Sequence, residues 1–231
     1  MKDRIVFMGT PEFASASLLA LVKGGVDVAA VVTAPDRPAG RGLKLKASAV
    51  KEQAVELGIP VLQPEKLRDP EFLSALDATG ASLYVVVAFR MLPEVVWSRP
   101  KHGTINLHAS LLPDYRGAAP INWAVINGEQ RTGITTFFIR QQIDTGDIIA
   151  QEELSVGPDE TAGELHDRMM HAGGALITRT ALDIFNGKAA RLPQEQSTHA
   201  SLHDAPKLNA GTCRIDWARD VQHVHDHIRG L

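Results

Sequence analysis

The stretch "TINLHASLLPDYRGAAPINWA", residues 104–124, places a polar pair at the end of a strand-like run. Asn106 and His108 have the same parity in that run, so both side chains point to one face of a β-strand. A strand that only packs a core has little use for such a pair. Open parallel sheets bind their ligands at the carboxyl ends of the strands. The stretch therefore predicts a parallel sheet with a reactive site at the end of one strand.

The rest of the chain has the pattern of an α/β protein. Short apolar runs alternate with amphipathic segments, which predicts a Rossmann-like, mostly parallel sheet with helices on both faces. The predicted strands are Ile5–Met8, Val28–Thr33, Pro60–Leu62, Leu83–Ala88, Thr104–His108, Ile134–Ile139 and the run that follows Asp144. The predicted helices are Pro11–Lys23, Ala47–Leu57, Asp69–Asp77, Ala118–Ile126 and Thr161–Phe185.

A change of composition near residue 190 divides the chain. Residues 190–207 lie in a polar stretch punctuated by proline, which is typical of a connecting segment on the surface. Residues 208–231 then begin an amphipathic helix whose apolar stripe has nothing left to pack against. We expect a catalytic domain at 1–189, a linker at 190–207 and the truncated start of a C-terminal domain at 208–231.

The overall composition limits the possible classes of protein. Of the 231 residues, 44% are hydrophobic and 22% are charged, as in an ordinary globular chain. The formal charge of −3 argues against a surface coated with nucleic acid, so any RNA contact must come from a local patch. Cys213 is the single cysteine, which favours a reducing compartment. No apolar run is long enough to span a bilayer. We expect a cytoplasmic protein without a membrane partner.

The turn after the first predicted strand, "FMGTPEFA" at residues 7–14, must be considered as a nucleotide-binding loop. It has one glycine instead of the G-x-G-x-x-G spacing that lets the backbone approach a pyrophosphate. Glu12 also falls in the first helical turn, where its carboxylate would repel a phosphate from the positive end of the helix dipole. We interpret the loop as a strand-to-helix turn without a nucleotide.

Asp144, in "QQIDTGD", follows another predicted strand. Neighbouring strands could bring its carboxylate beside the ring of His108. A carboxylate there favours the protonated, charged form of the imidazole. That ring and the Asn106 amide could both donate to a developing oxyanion, which suits acyl transfer through a tetrahedral intermediate. Ser110 lacks a G-x-S-x-G elbow, so an acyl-enzyme is not expected. Spacing alone leaves a plain hydrogen-bond cluster at the strand end equally open.

Longer motifs point to a specific family of proteins. "NLHASLLPDYRGAAPINWAVINGE", followed by "TGITTFFIRQQIDTGDII", resembles the folate-dependent formyltransferases. The similarity extends from "RIVFMGTPEFA" through "VTAPDRPAGRG" to "CRIDWARDV", nearly the whole chain, and is closest to the members that act on methionyl-tRNA. The resemblance implies the formyltransferase fold and transfer of a formyl group from 10-formyltetrahydrofolate to the amine of methionyl-tRNA, for translation initiation. It also implies that the C-terminal domain helps to hold the tRNA.

The same resemblance implies roles for individual residues. Asn106 and protonated His108 would stabilise the oxyanion, while Asp144 orients the imidazole and supports its charge. The segment around Arg90 would supply backbone hydrogen bonds to the pteridine. The residues expected at the folate are Ser110, Leu111, Leu112, Pro113, Phe89, Arg90 and Met91.

The segment "APDRPAGRGLKLKAS", residues 34–48, is a candidate contact for tRNA. Four cations against Asp36 give it a local charge of +3, which suits an arm on phosphates or in an RNA groove. It also resembles the loop that the tRNA-specific members insert against the acceptor stem, with Arg41 at the key arginine. The expected tRNA contacts are Arg37, Arg41, Lys44 and Lys46.

Two other functions stay open. Family members that act on glycinamide ribonucleotide or on amino-sugar nucleotides share the same three catalytic residues. A folate- or RNA-binding module without chemistry is the other possibility, although a binder has no need of an oxyanion site. We expect initiator methionyl-tRNA and the folate co-substrate as partners of a monomer. No metal is expected, because only His223 and His227 of "HVHDH" share a helix face, and the glutamate of H-E-x-x-H is missing.

Overall fold

The computed structural model describes residues 3–39, 44–194 and 202–231. Two compact units make up the chain. One consists of Met1–Leu107 and Gly174–Ala189, and the other consists of His108–Gly173 and Ala190–Leu231.

The described residues form eleven strands and seven helices. The strands are β1 (Ile5–Gly9), β2 (Val28–Val32), β3 (Arg37–Ala39), β4 (Lys44–Lys46), β5 (Val61–Leu62), β6 (Leu83–Val87), β7 (Thr104–His108), β8 (Arg116–Gly117), β9 (Arg131–Phe138), β10 (Ile148–Ser155) and β11 (Asp204–Ala205). The helices are α1 (Glu12–Lys23), α2 (Ala49–Glu56), α3 (Pro70–Ala78), α4 (Glu94–Trp97), α5 (Pro120–Ile126), α6 (Ala162–Phe185) and α7 (Val221–Arg229).

A parallel sheet forms the centre of the first unit. Its strands follow the order β7-β6-β1-β2-β5, and every neighbouring pair is parallel. All five residues of the central β1 are buried, as expected of a strand that is covered on both faces. The helices α1 and α2 pack on these strands and on each other. The predicted Rossmann-like, mostly parallel α/β fold is confirmed.

Gly9 explains the single glycine of the first turn. A Cβ atom at this position would lie 2.5 Å from Cβ of Ala14 and 2.9 Å from the carbonyl oxygen of Val87. Glycine therefore lets α1 approach β1 and β6 closely. Glu12 opens α1 in its first turn, as predicted. The turn thus has a packing role that requires no nucleotide.

The second unit is built around an antiparallel pair, β9 with β10. Gly146, which precedes β10, lies so close to the carbonyl group of Phe138 that no side chain would fit there. A smaller parallel pair joins β8 to β11, and α5 packs against α7 and β11.

The sequence predicted the two-residue strand β5 but missed the other elements of four residues or fewer. The helix α4, the hairpin β3–β4 and the pair β8–β11 have between two and four residues per element. Elements of this length have no hydrophobic period from which they could be recognised. Among the described helices, none is long and apolar enough to cross a membrane.

The segment that the sequence predicts as a surface connection is partly buried. Ala205 is fully buried in β11, and its carbonyl oxygen accepts hydrogen bonds from the N–H groups of Ala118 and Ala119. Further along, α7 packs on α5, with Asp226 and Arg229 buried. The apolar stripe of α7 is mainly exposed, as expected, with Val221 at 86% exposure. The proposed domain limits at 190 and 208 stay predictions.

Candidate active site

His108 ends β7 and is 7% exposed. Its Nε2 atom lies 2.9 Å from the carbonyl oxygen of Tyr115. Because a carbonyl group only accepts hydrogen bonds, Nε2 carries a hydrogen. The other ring nitrogen, Nδ1, lies 3.9 Å from Oδ2 of Asp144. This distance suits an ion pair with a protonated ring but is longer than a hydrogen bond. The structure therefore brings the predicted imidazole and carboxylate together.

Asp144 has a left-handed backbone, with φ at 53°. This conformation is costly for a residue with a side chain, and such residues cluster at functional sites. The carboxylate Oδ2 accepts a hydrogen bond of 3.1 Å from the N–H of Gly117. The side chain of Asp144 is only 11% exposed. A strained turn and one backbone donor thus fix the carboxylate near the ring.

Tyr115 also has a left-handed backbone, with φ at 57°. Its hydroxyl group donates to Oε1 of Glu129 at 2.7 Å and accepts from Nδ2 of Asn127 at 3.0 Å. Its N–H donates to the carbonyl oxygen of His203 at 2.8 Å. Burial, reinforced by Glu129, raises the pKa of the Tyr115 hydroxyl well above its ordinary value of 10.0. Tyr115 is therefore a firmly held, neutral residue whose carbonyl oxygen orients His108.

Asn106 lies two residues before His108 on β7 and is half-buried. Its Oδ1 atom is buried and has no hydrogen-bond partner among the residues that the structure describes. Leaving a buried acceptor unsatisfied costs about 1–3 kcal/mol. A bound donor would remove that cost, so Asn106 is a candidate contact for a ligand.

The turn at residues 110–113 is held by internal hydrogen bonds. Ser110 is fully buried, and its hydroxyl donates to the carbonyl oxygen of Asp114 at 2.6 Å. Leu112 is buried against Phe137 and Ile148. These two side chains are therefore occupied within the fold, and any folate contact at these positions would use the backbone. Leu111 and Pro113 are half-buried.

Sequence reasoning missed the residues that support this turn. Thr135 on β9 donates through Oγ1 to the carbonyl oxygen of Ser110 at 2.6 Å and accepts from the N–H of Leu112 at 3.1 Å. Gln151 donates from Nε2 to the carbonyl oxygen of Leu112 at 2.9 Å and to Oγ1 of Thr135 at 3.0 Å. The motif "TGITT", residues 132–136, is the sequence feature that pointed to this support, because Gly133 and Thr135 share one face of β9.

The segment after β6 has a third left-handed residue, Ala88, with φ at 45°. Arg90 donates from Nη1 to the carbonyl oxygen of Glu65 at 2.8 Å and from Nη2 to the carbonyl oxygen of Pro64. Its guanidinium group is therefore anchored on the backbone of the first unit. Phe89 is half-buried and Met91 is 71% exposed.

The predicted tRNA segment includes the antiparallel hairpin β3–β4, in which Arg37 lies opposite Lys46 in the strand register. Both of these residues are exposed, and Lys44 also lies on β4. Asp36 at the start of the hairpin binds Nζ of Lys51 at 2.6 Å, so its charge is already paired. Hydrogen bonds from Lys51 and from a glutamine lower the pKa of Asp36. Arg41 lies outside the described residues.

One group of described residues has the composition of a metal site. Ligand atoms of Asp114, Glu129 and His203 lie within 4.8 Å of one another. Asp114 accepts from the N–H of His203 at 2.6 Å, and Glu129 accepts from the hydroxyl of Tyr115. The ring of His203 stacks on Tyr115 with 5.0 Å between ring centroids. These groups already serve to hold Tyr115, so we assign them no metal.

Comparisons with known proteins identify the family of the chain. A sequence model described as formyl transferase matches residues 3–181. The chain is 55% identical over 229 residues to a methionyl-tRNA formyltransferase of Bacteroides fragilis, with 99% of this chain and 71% of the relative covered. It is 54% identical over 231 residues to the corresponding protein of Parabacteroides distasonis, with the same coverage of both chains.

A solved structure with the same fold is the N-formyltransferase of Helicobacter canadensis, in complex with folinic acid and dTDP-3-aminofucose. The TM-score is 0.72 at 20% identity, with 99% of this chain and 80% of that chain covered. At this identity the likeness supports the fold alone. Because the family model spans most of the chain, and relatives more than half identical align along nearly all of it, the chain belongs to the formyl transferase family.

Proposed function

We propose that the protein transfers a formyl group from 10-formyltetrahydrofolate to the free amino group of methionyl-tRNA. The observation that carries the proposal is the 3.9 Å separation between Nδ1 of His108 and Oδ2 of Asp144. The second support is the identity of 50% or more to several relatives that are named methionyl-tRNA formyltransferases. The formyl donor would be a co-substrate, and none of the proposed steps uses a metal.

The position of the ring decides which nitrogen takes part in the reaction. Nε2 of His108 is anchored on the carbonyl oxygen of Tyr115. The proton that distinguishes the charged ring from the neutral ring is therefore the one on Nδ1, the atom beside Asp144. A charged ring held there can donate to a developing oxyanion, while the carboxylate supports its positive charge. Asn106 would add the second donor, through its amide Nδ2.

In the proposed reaction the amine of the aminoacyl-tRNA attacks the formyl carbon directly. A carbon–nitrogen bond forms to the amine, and the carbonyl oxygen becomes an oxyanion stabilised by Asn106 and protonated His108. The bond to N10 of the folate then breaks, and the proton released by the amine passes through water to N10. The buried Oδ1 of Asn106 has no hydrogen-bond partner among the described residues, and in the proposed reaction it accepts a hydrogen of the attacking amine and so orients it.

One further observation favours methionyl-tRNA over a small amine as the acceptor. Arg37 and Lys46 are exposed on a hairpin, and the charge of the neighbouring Asp36 is paired with Lys51. Uncompensated cations on an exposed segment bind phosphates. We propose that Arg37, Arg41, Lys44 and Lys46 contact the tRNA. An amino-sugar nucleotide or glycinamide ribonucleotide remains the second candidate, because the same three catalytic residues would serve it.

A formyl-transfer assay tests the proposal. Purified protein is mixed with 10-formyltetrahydrofolate and charged initiator tRNA, with glycinamide ribonucleotide and amino-sugar nucleotides as competing acceptors. We expect formylmethionyl-tRNA as the main product. His108→Ala and Asn106→Ala should each lower kcat by about a hundredfold or more, because each removes an oxyanion donor. His171→Ala, at an exposed position of α6, is the matched control. Full activity of the His108 variant would refute the mechanism, and preferential formylation of a small amine would refute the substrate.

The proposed partners are initiator methionyl-tRNA and the folate co-substrate. The single cysteine supports a reducing, cytoplasmic location. A monomeric state stays a prediction.

A further inference from the structure

Gln194 lies beyond residues 3–181, the part of the chain that matches the family model. Within the second unit its side chain makes three hydrogen bonds. Nε2 donates to the carbonyl oxygen of Asp144 at 2.9 Å and to that of Gly146 at 2.8 Å. Oε1 accepts from Nη2 of Arg116 at 2.5 Å. A residue from the predicted linker thus contacts the turn that carries a proposed catalytic carboxylate.

Only a carboxamide satisfies this set of partners. The two carbonyl groups can only accept hydrogen bonds, and the guanidinium group of Arg116 can only donate. The side chain between them must therefore offer two N–H donors on one side and one acceptor on the other. Glutamate has nearly the same shape as Gln194 but lacks both donors.

Both the backbone carbonyl and the carboxylate of Asp144 are held by hydrogen bonds that depend on β8. Arg116 fixes Gln194, which binds the backbone carbonyl of Asp144, and the next residue, Gly117, binds the carboxylate through its N–H at 3.1 Å. The left-handed φ of Asp144 persists only where its surroundings hold it. Position 117 has no room for a side chain, since a Cβ there would lie 2.4 Å from the carbonyl oxygen of Ala205.

We propose that Gln194 and Arg116 are positioning residues that hold the carboxylate of Asp144 beside Nδ1 of His108. The inference rests on the proposed function, because it gives a role to residues that act through Asp144. Direct hydrogen bonding does not fix the pair, since the two atoms are 3.9 Å apart. The placement of the turn therefore determines how well the carboxylate supports the charged ring.

Three substitutions test the role through activity. Gln194→Leu removes all three hydrogen bonds, and Gln194→Glu removes the two donors at nearly constant shape. Gln53→Leu, at a half-buried position of α2 outside the site, is the control. We expect kcat to fall on the order of tenfold to a hundredfold in both Gln194 variants, as for small misplacements of a catalytic group. KM for either substrate should change less than about twofold, because no substrate contact is removed. A Gln194→Leu variant as active as the control would overturn the proposal.

A double-mutant cycle separates positioning from general support of the fold. In an Asp144→Asn background there is no carboxylate charge left to position. Gln194→Leu should then lower kcat by less than about twofold further. An equal loss of kcat in both backgrounds would mean that Gln194 does not act through Asp144.

A readout without catalysis keeps this inference distinct from the proposed function. Amide hydrogen exchange of Gly117, followed by NMR, reports the hydrogen bond to Asp144. We expect exchange at least about tenfold faster in Gln194→Leu, with the amide of Phe138, bonded to Asp147, unchanged. If the wild-type protein formylates nothing, the proposed function fails, yet faster exchange at Gly117 would still support the positioning of Asp144 by Gln194. Unchanged exchange at Gly117 would overturn that positioning role whatever the activity.

Discussion

The carbonyl oxygen of Tyr115 lies 2.9 Å from Nε2 of His108, and the left-handed backbone of Tyr115 directs it there. The phenol ring anchors this arrangement through its hydrogen bonds to Glu129 and Asn127. A residue that sequence reasoning passed over thus determines which ring nitrogen is free for chemistry. The hydrogen bonds of the phenol hydroxyl explain why a tyrosine occupies a position where the backbone favours glycine.

Tyr115→Phe should lower both stability and turnover. The substitution leaves Oε1 of Glu129 without its donor, which costs about 1–2 kcal/mol of unfolding free energy. A less firmly held carbonyl group should also reduce kcat severalfold. Tyr84→Phe is the matched control, because Tyr84 is buried in β6, where burial raises the pKa of its hydroxyl to about 12. Thermal unfolding and steady-state kinetics measure both effects. Equal kcat values for the two variants would contradict the role of Tyr115.

The strands that decide the fold were readable because they are buried. In a parallel sheet covered on both faces, β1 and β6 consist almost entirely of apolar residues, and such runs are visible without any partner. The parity of Asn106 and His108 on β7 was equally local. The prediction that His108 and Asp144 meet required one additional assumption, that the strands before them end near each other. The 3.9 Å between Nδ1 and Oδ2 agrees with that assumption.

The supporting residues of the site could not be read in the same way. Gln194 meets Asp144 across fifty positions of sequence, and Ala205 meets Gly117 through a pair of two-residue strands. Neither contact leaves a periodic pattern. Their polar and small residues are those of any surface loop, so composition predicted a linker. Long-range hydrogen bonds of single side chains are fixed by tertiary structure alone.

Gly133→Ala should destabilise the second unit. A Cβ atom at Gly133 would lie 2.3 Å from the carbonyl oxygen of Glu152 and 2.5 Å from Cδ2 of Leu111. Relieving such overlap requires shifts that cost about 1–3 kcal/mol. Leu111 lies in the turn at residues 110–113, so activity should fall as well. Gly163→Ala is the control, since the nearest atom to its added methyl group is Oγ1 of Thr161 at 3.9 Å. A neutral Gly133 variant in chemical denaturation would show that the turn yields freely.

Neutralising the basic hairpin should weaken tRNA binding in proportion to the charge removed. Each of Arg37→Ala and Lys46→Ala removes one exposed cation, so the slope of log affinity against log salt should become shallower by about one unit or slightly less per substitution. Lys188→Ala, an exposed lysine outside the hairpin, should leave that slope unchanged. Filter binding of methionyl-tRNA over a range of salt concentrations provides the measurement. Identical slopes for all three variants would rule out the hairpin as an RNA contact.

Acid should remove the stabilisation that Asp226 gives to the packing of α7. Burial disfavours its charge, but hydrogen bonds from Arg229 and Gln222 more than compensate and hold the pKa of Asp226 below its ordinary value of 3.8. Since the folded state lowers the pKa, this contribution is complete above the ordinary value and is lost as the pH falls through the lower, folded value. Asp226→Asn should therefore cost about 2–3 kcal/mol at pH 7, because it leaves buried Arg229 with a neutral partner. Asp167→Asn, at an exposed position of α6, should cost less than about 0.5 kcal/mol. In denaturant unfolding from pH 7 to pH 2, the difference between wild type and Asp226→Asn should be constant above the ordinary value of 3.8 and should shrink below it. A constant difference between the two proteins over that range would mean that the charge of Asp226 contributes nothing to the packing.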